Sequence, residues 1–349
     1  MVSGTPQAAR EARFCRADDG VRLAWARHGS GPPLLIASCW LSHLQHDWES
    51  PVWRHFLDAL GDVATVVRFD ERGFGLSEWE VDDFSLERRV ADLETVVEAA
   101  GLDRFALMGM SGGAPVALAY AHAHPERVSQ MILYGGMAGA GMNDDPEAET
   151  AFLAMIRAGW QRPDSTFRRV FTTSFIPDAT EEQMTWMDEL QRTSTNTENA
   201  VCSRVARHQT DVTPLLPEIA TPTLVLHADG DRVASTWGPK LATQLPNARL
   251  VMLQSRNHIL LADEPAWPVF RDEVTAFLAD GQPRTTVENL SAREREILLL
   301  AAEGLDNTEI AERLTLSVRT VERHFQNVYL KLGLQGRTAR AAAVARVLA

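Results

Sequence analysis

The stretch Phe105-Ala106-Leu107-Met108-Gly109-Met110-Ser111-Gly112-Gly113-Ala114-Pro115 decides the fold. An apolar run leads into a Gly-x-Ser-x-Gly pattern and then into small, helix-forming residues, which predicts a buried strand, a tight turn and a helix. Gly109 and Gly113 fit this turn because the strand and the helix pass too close there for side chains. Ser111 then lies at the apex, above the carboxyl edge of a sheet, and the Gly112 amide points at a developing oxyanion. A glycine-rich turn without chemistry is the alternative, and the flanking strand and helix favour the functional interpretation.

The composition is that of a globular protein. With 349 residues and 45% hydrophobic content, the chain can form one large domain and one small domain. No run approaches the roughly 20 apolar residues that span a bilayer, and residues 1–16 lack the apolar core of a signal peptide. Cys15, Cys39 and Cys202 are scattered and odd in number, which suits a reducing compartment and gives no metal-ligand spacing. We expect a cytoplasmic protein without metal, cofactor or membrane contact.

The charge is distributed unevenly along the chain. From Glu288 onward there are nine Lys and Arg against eight Asp and Glu, whereas the preceding part holds 25 against 39. The acidic balance therefore belongs to the first part of the chain. That part is a poor nucleic-acid surface, because it would repel phosphates.

Buried strands alternate with helices over most of the chain, which predicts an α/β fold with a mostly parallel sheet. A hairpin around Asp18-Asp19-Gly20 opens this domain, residues 13–280, after an N-terminal tail, residues 1–12. The predicted strands are 13–17, 21–27, 33–38, 63–69, 104–110, 128–134, 223–227 and 248–253, and the predicted helices are 53–60, 85–100, 236–245 and 264–279. The alternation stops over residues 137–217, whose helical pattern favours a lid over the active edge of the sheet. An extra helical layer without a gating role is the alternative.

A serine needs a base and an orienting acid to become a nucleophile. In strand-turn-helix hydrolases the acid and the histidine follow the serine in that order. Asp231 comes just after the strand 223–227, and His258 comes just after the strand 248–253. Both therefore belong to the same sheet edge as Ser111, which predicts a Ser-Asp-His triad.

Residues 13–279 resemble the α/β-hydrolase superfamily. The motifs that carry the resemblance are Gly109-x-Ser111-x-Gly113, Asp70-x-Arg72-Gly73-x-Gly75-x-Ser77, Gly230-Asp231-Arg232-Val233, and Asn257-His258 followed by Glu264-Pro265. The resemblance implies that Asp231, and not Asp229, is the triad acid. It also implies that the Trp40 amide completes the oxyanion hole with Gly112.

Two departures from the family pattern concern the same site. The chain has Ser38-Cys39-Trp40-Leu41 where the family usually has His-Gly, and Asn257 where it has glycine. Both leave the reacting groups in place and are expected to slow turnover. The segment from Trp40 to Pro51 is similar to hydrolase domains fused to signalling output domains. We expect Trp40, His43 and Met110 to line the ligand pocket, with plain core packing as the alternative for Trp40.

A polar linker, residues 281–289, precedes a second domain of four short helices, residues 290–349. Ser291 to Glu294 and Asp306 to Glu309 are both capping-box patterns, and Gly304 is a helix stop. Ser317 caps the third helix. Its predicted core face consists of Val318, Val321, Phe325, Val328 and Leu332, and its outer face consists of Arg319, Thr320, Arg323, His324, Asn327 and Lys331. Such an outer face suits a DNA major groove, although a solvated charged face has a similar composition.

The whole second domain resembles the LuxR-type helix-turn-helix. The motifs are Leu290-Ser291-x-Arg293-Glu294-x-Glu296-Ile297-Leu298, Asn307-x-Glu309-Ile310-Ala311-x-x-Leu314, Thr320-Val321-x-x-His324 and Lys331-Leu332-Gly333. The resemblance implies sequence-specific binding of double-stranded DNA as a homodimer, with residues 338–348 contributing to pairing. Glu322 departs from the lysine common in the family, and a carboxylate can accept from a cytosine amino group.

These observations predict a DNA-binding transcription regulator. Its α/β-hydrolase domain is expected to bind, and to hydrolyse, a small ester, lactone or amide ligand. Two alternatives stay open. The pocket can act only as a receptor, or the protein is a working esterase or lactonase in which the second domain serves mainly dimerisation.

Overall fold

The computed structural model describes residues 11–139, 146–163, 166–280, 292–302, 304–331, 340, 343 and 344. The chain divides into two compact units, Met1–Leu278 and Ala279–Ala349. The predicted linker, residues 281–289, and most of the predicted pairing helix, residues 338–348, lie outside the described residues.

An eight-stranded sheet organises the first unit. Its strands are β1 Arg13–Arg16, β2 Arg22–Gly29, β3 Pro33–Ala37, β4 Thr65–Phe69, β5 Phe105–Met110, β6 Val128–Tyr134, β7 Thr223–Ala228 and β8 Ala248–Leu253. They lie in the order β1-β2-β4-β3-β5-β6-β7-β8. The first two strands are antiparallel to each other, β2 is antiparallel to β4, and all the others pair in parallel. The predicted α/β fold with a mostly parallel sheet and an opening hairpin is confirmed.

Both faces of the sheet are buried, as continuous apolar strands require. Leu34 and Ile36 of β3 belong to one apolar core, and Leu35 and Ala37 belong to the other. The helices of the α/β part are α1 Arg54–Val63, α2 Leu86–Ala100, α3 Ala114–Ala123, α8 Trp237–Gln244 and α9 Ala266–Asp280. The parallel strands therefore bring their carboxyl ends to a single edge between two helical layers.

A helical insertion covers that edge. Its helices are α4 Pro146–Gly159, α5 Thr166–Phe175, α6 Glu181–Ser194 and α7 Thr197–His208. It is tied to the loop after β4, because Thr195 Oγ1 donates to the Gly73 carbonyl at 2.6 Å and Gly75 N donates to the Ser194 carbonyl at 2.7 Å. The described part of residues 137–217 is thus helical, as predicted, and lies over the strand ends.

The second unit contains α10 Ala292–Ala302, α11 Asn307–Leu314 and α12 Val318–Lys331. Asp306 forms the predicted capping box with Glu309, and Gly304 has a positive φ of 94°. Thr315 takes a left-handed conformation between α11 and α12, which gives the sharp turn between them. Ser317 Oγ accepts from Thr320 N at 3.1 Å and caps α12.

The prediction for the core face of α12 is correct in part. Val321, Phe325 and Val328 are buried against Ile297, Leu298 and Ile310. The prediction is wrong for Val318, which lies in the first turn of α12 and is 38% exposed. Leu332 is outside the described residues. Within the described residues, no helix combines the length and the apolar character needed to cross a membrane.

Candidate active site

Ser111 sits at a strained turn between β5 and α3. Its φ is 49°, and Ser111–Gly113 forms a single 3-10 turn that runs directly into α3. A Cβ on Gly113 would overlap the carbonyl oxygens of Ala37 and Ser38, and one on Gly109 would lie 2.8 Å from Ala114 Cα. The close approach inferred for these two glycines is therefore present. A serine in a strained backbone conformation is costly to keep, and such strain concentrates at functional sites.

His258 and Asp231 form a buried pair at the same sheet edge. His258 Nδ1 lies 2.7 Å from Asp231 Oδ2, and the two residues are 3% and 2% exposed. Asp231 Oδ1 also accepts from Val233 N at 2.7 Å. Burial acts to raise the pKa of Asp231, but the charge and hydrogen bond of His258 outweigh it, so the pKa lies below its usual value. Asp231 is thus an ionised acceptor that orients the imidazole.

Asp229, which the family resemblance excluded as the triad acid, contacts a residue other than His258. Its Oδ1 accepts from Ser255 N at 3.2 Å, which holds the turn after β8. Asn257 also has a local role, because its Oδ1 accepts from Asp178 N of the helical insertion at 3.1 Å. The amide that replaces the usual glycine therefore connects the histidine loop to the insertion.

Two residues that position His258 escaped the sequence interpretation. Tyr134 Oη donates to the His258 carbonyl at 2.9 Å and accepts from Leu260 N at 2.9 Å. Gly135 has a φ of 55°, and a Cβ there would lie 2.9 Å from His258 Cε1. A glycine directly after the strand β6 was the available signal for the second, since a left-handed residue at a strand end favours glycine.

The two predicted oxyanion amides lie close together. An ideal Cβ on Gly112 would be 3.7 Å from Trp40 N, so the backbones of the two residues approach each other next to Ser111. The Trp40 side chain is tied to the helical insertion, since its Nε1 donates to Ser203 Oγ of α7 at 3.0 Å. The closeness of the two backbones is compatible with the predicted oxyanion hole, in which two backbone donors bind one oxygen.

An apolar cavity opens at Ser111. Its lining residues are Cys39, Trp40, Leu41, Trp53, Met110, Ser111, Tyr134, Phe175, Met187, His258 and Ile259. Trp40 is both cavity wall and core, since it is 7% exposed and its ring lies 5.5 Å from that of Trp160. Burial raises the pKa of the Cys39 thiol to about 12, so this thiol stays protonated and inert.

The assignment of His43 to this pocket is wrong. His43 borders a separate surface cavity with Gln45, His46, Trp48 and Glu49. Its two neighbours fix this outcome, because Ser42 Oγ and Leu44 N both donate to the buried Asp70 carboxylate, at 2.8 Å and 3.1 Å. The backbone is thereby locked with His43 beside His46, and adjacency to Trp40 in sequence did not give a shared pocket.

A second cavity also borders Ser111 and Gly112. Three arginines line it: Arg89 of α2, and Arg204 and Arg207 of α7. Arg204 pairs with Glu149, with Nη2 and Oε2 2.7 Å apart, and Arg207 pairs with Glu71. The sequence analysis did not identify these residues. The available signal was the position of Arg89, which lies four residues before Leu93 and therefore on the apolar face of α2.

The predicted DNA-facing residues of α12 are placed on its outer side where they are described. Arg319 and Arg323 are exposed, whereas Thr320 and His324 are half-buried. Exposed Glu322 and Gln326 share that side, and the sequence analysis missed Gln326 as a hydrogen-bonding group. The side chains of Asn327 and Lys331 lie outside the described part. Among the described residues, no group of three or more His, Cys, Asp and Glu side chains is arranged to hold a metal ion.

Comparison with known proteins gives the same two parts. The sequence profile of the alpha/beta hydrolase fold matches residues 32–265, and that of the bacterial regulatory proteins of the luxR family matches residues 288–344. A 2-hydroxy-6-oxononadienedioate/2-hydroxy-6-oxononatrienedioate hydrolase of Paraburkholderia phymatum is 31% identical over 232 residues, which cover 63% of this chain and 75% of the relative.

Two further similarities concern one part each. An HTH-type transcriptional regulator of Mycobacterium bovis is 41% identical over 71 residues, covering 19% of this chain and 8% of that protein. An esterase from Exiguobacterium antarcticum has a TM-score of 0.66 at 20% identity, over 77% of this chain and all of that one, which shows a shared fold. The chain therefore belongs to the α/β hydrolase fold family and carries a LuxR-family regulatory domain behind the hydrolase domain.

Proposed function

We propose that this protein is a DNA-binding transcription regulator whose hydrolase domain binds and slowly hydrolyses a small ester, lactone or amide. One observation carries the proposal. A strained Ser111 borders the same apolar cavity as a buried His258–Asp231 pair, in a chain that also holds a LuxR-family domain. An intact nucleophile site favours chemistry, and fusion to a DNA-binding domain favours sensing.

The cavity that Ser111 and His258 both line supports the following proposed reaction. Ser111 Oγ attacks the carbonyl carbon while His258 Nε2 takes the serine proton, and Asp231 holds the imidazole through Nδ1. The amides of Gly112 and Trp40 stabilise the oxyanion of the tetrahedral intermediate. His258 then returns the proton to the leaving group, which leaves an acyl-enzyme that water hydrolyses.

We propose that occupancy of the pocket, rather than its hydrolysis, is the signal. Cys39 stands where the family usually has a flexible glycine, and a less adaptable oxyanion segment gives slow turnover. With slow turnover, the ligand-bound state persists long enough to change DNA binding. The helical insertion is the part that would report it, because it provides Phe175 and Met187 to the cavity wall.

An active-site probe tests the chemistry. A fluorophosphonate should label the folded wild type and fail to label Ser111→Ala. Turnover of a p-nitrophenyl ester should fall by several orders of magnitude in that variant, because triad members act as a unit. A folded wild type that is not labelled, or a Ser111→Ala protein that is, would contradict the assignment.

DNA binding is tested with a site that the full chain selects from random sequences. Arg323→Ala should weaken binding and flatten the dependence of log K on log salt by about 0.9, the effect of one lost phosphate contact. Arg271→Ala, an exposed change on α9 of the hydrolase unit, is the matched control. Unchanged affinity and salt slope in Arg323→Ala would show that the assigned face is wrong.

The alternative is an esterase or lactonase whose second domain only dimerises. It predicts ester turnover together with a chain that selects no DNA sequence. The two proposals are thus separated by the selection step itself, before any substitution is made.

A further inference from the structure

The second cavity beside Ser111 is lined by a buried guanidinium, that of Arg89. Arg89 is 2% exposed, and its Nε and Nη1 atoms are buried with no hydrogen-bond partner among the described residues. Only its Nη2 is anchored, by donation to the neutral Thr210 Oγ1 at 3.2 Å. Burial and the nearby charge of Arg207 lower the pKa of Arg89 to about 10, which still leaves it charged at neutral pH.

Counted over the described residues, the ion pairs leave one positive charge in excess in the lining of this cavity. Arg204 is compensated by Glu149 and Arg207 by Glu71, whereas no ion pair is found for Arg89 in the described part of the chain. Burying an uncompensated cation costs several kcal/mol, and an apolar side chain of similar volume would be more stable. A fold that keeps such a group in a cavity next to a nucleophile is suited to receive an anion there.

One of these donors lies beside the predicted oxyanion amide. In the described part of the chain, Arg207 Nε is buried without a hydrogen-bond partner, and a Cβ added to Gly112 would lie 3.0 Å from it. Arg89 and Arg207 both line a cavity that also borders Ser111 and Gly112. A group bound to them would lie within a few bonds of the carbonyl under attack.

We infer that the ligand is an acyl compound that carries a free carboxylate, which Arg89 and Arg207 bind beside Ser111. A carboxylate matches the single excess charge, and its two oxygens suit the planar fork of a guanidinium. The inference rests on the proposed use of Ser111 toward an acyl ligand, and it adds the chemical class of that ligand.

A binding experiment separates this inference from the chemistry of Ser111. Ser111→Ala protein, which cannot react, is titrated by calorimetry with monomethyl glutarate and with methyl pentanoate. The two probes have the same ester group and the same chain. They differ only at the far end, where the first has a carboxylate and the second has a methyl group. The acid should bind at least about tenfold more tightly, as expected for hydrogen bonds to a charged group. This result would stand even if Ser111 proved unreactive in the wild type.

Variants of neighbouring arginines locate the effect. Adding Arg89→Met should reduce the preference for the acid to about twofold or less, and Arg89→Lys should reduce it in part because the planar fork is lost. Arg88→Met is the matched control, since Arg88 lies on the same helix but pairs with Asp18 on the surface. It should keep the full preference.

Three results would overturn the inference. They are equal binding of the two probes, no binding of the acid, and a preference that survives Arg89→Met. Tryptophan fluorescence checks that each variant is folded. If Arg89→Met does not fold, Arg89→Lys decides, and an unchanged preference in that variant counts against the assignment.

Discussion

Ser111 is held at its positive φ by the glycine two positions after it. The space that a Gly113 side chain would need is filled by the Ala37 and Ser38 carbonyl oxygens, and Ala37 is the residue of β3 that pairs with Gly109 of β5. The backbone there cannot retreat without breaking the sheet at its active edge. The strain at the serine is therefore maintained by backbone packing rather than by a side-chain contact.

Gly113→Ala should destabilise the hydrolase unit by about 3 kcal/mol or more, because the new methyl group meets fixed backbone. Gly112→Ala is the matched control, since its methyl group meets the movable side chain of Arg207 instead. Urea unfolding followed by tryptophan fluorescence measures both, and all nine tryptophans lie in the hydrolase unit. Equal stability of the two variants would show that the close approach does not hold the turn.

At the residue scale, the sequence predicted the proposed triad better than the residues around it. Ser111, Asp231 and His258 were predicted because the order of such a triad, and the place of each member after a strand, follow a fixed pattern. His43 was misassigned because a place in a motif does not give the direction of a side chain. Arg89 was missed because an arginine on an amphipathic helix is normally solvated, although its spacing from Leu93 places it on the buried face of α2.

At the element scale, the contact of β2 with α1 depends on a neutral histidine. His28 of β2 is buried, and its Nε2 lies 3.0 Å from the Leu57 carbonyl of α1. Burial, together with the charge of Arg68, lowers the pKa of His28 to about 4. The folded state therefore binds this proton less readily than the unfolded state, whose histidine pKa is about 6.5.

The sign of the pH effect follows from that difference. Stability is full above about pH 6.5 and falls as the pH drops toward about 4, with His28 alone costing about 2 kcal/mol at about pH 5. His28→Gln keeps a donor for Leu57 but does not titrate, so it should lose less stability between pH 7 and about pH 5. Urea unfolding at the two pH values is the measurement. An equal loss in both proteins would exclude His28 as the sensitive group.

Helix α12 offers a matched pair of substitutions. Val321 is fully buried and Val318 is 38% exposed on the same helix. Val321→Asp should unfold the second unit, because it buries an unpaired charge in a small core. Val318→Asp should be tolerated, since an exposed acid in the first turn of a helix is favourable.

Circular dichroism and tryptophan fluorescence together measure the folding of the Val321→Asp and Val318→Asp variants. The second unit has no tryptophan, so helical signal should be lost in Val321→Asp while fluorescence stays unchanged. A Val321→Asp protein that keeps its helical signal and its DNA binding would show that the core of this unit is assigned incorrectly.

The element boundaries were the most predictable part of the chain. Strands β6 and β8 begin and end at the predicted residues, because they are short apolar runs bounded by turn residues. The helical insertion was predicted as helical from the missing strands. Its contacts were not, because the ties of Asn257 to Asp178 and of Trp40 to Ser203 join segments that are distant in sequence.

At the scale of the whole molecule, the two units differ in charge and in proposed function. The first unit carries the acidic excess and the site at Ser111, and the second carries the exposed arginines of α12. A ligand can shift DNA binding only through its differential affinity for the two states of the protein. A signal based on occupancy predicts that Ser111→Ala still responds to its ligand, and for longer. A signal based on hydrolysis predicts that this variant binds ligand without responding.

The central claim is that the state of the Ser111 site sets the affinity for DNA. The most direct measurement is the DNA dissociation constant of the full chain before and after a fluorophosphonate has reacted with Ser111, with Ser111→Ala treated in the same way. We predict a change of about fivefold or more in the wild type, the lower range of allosteric coupling, and none in Ser111→Ala. A wild type that is labelled stoichiometrically and binds DNA with an unchanged dissociation constant would contradict the account.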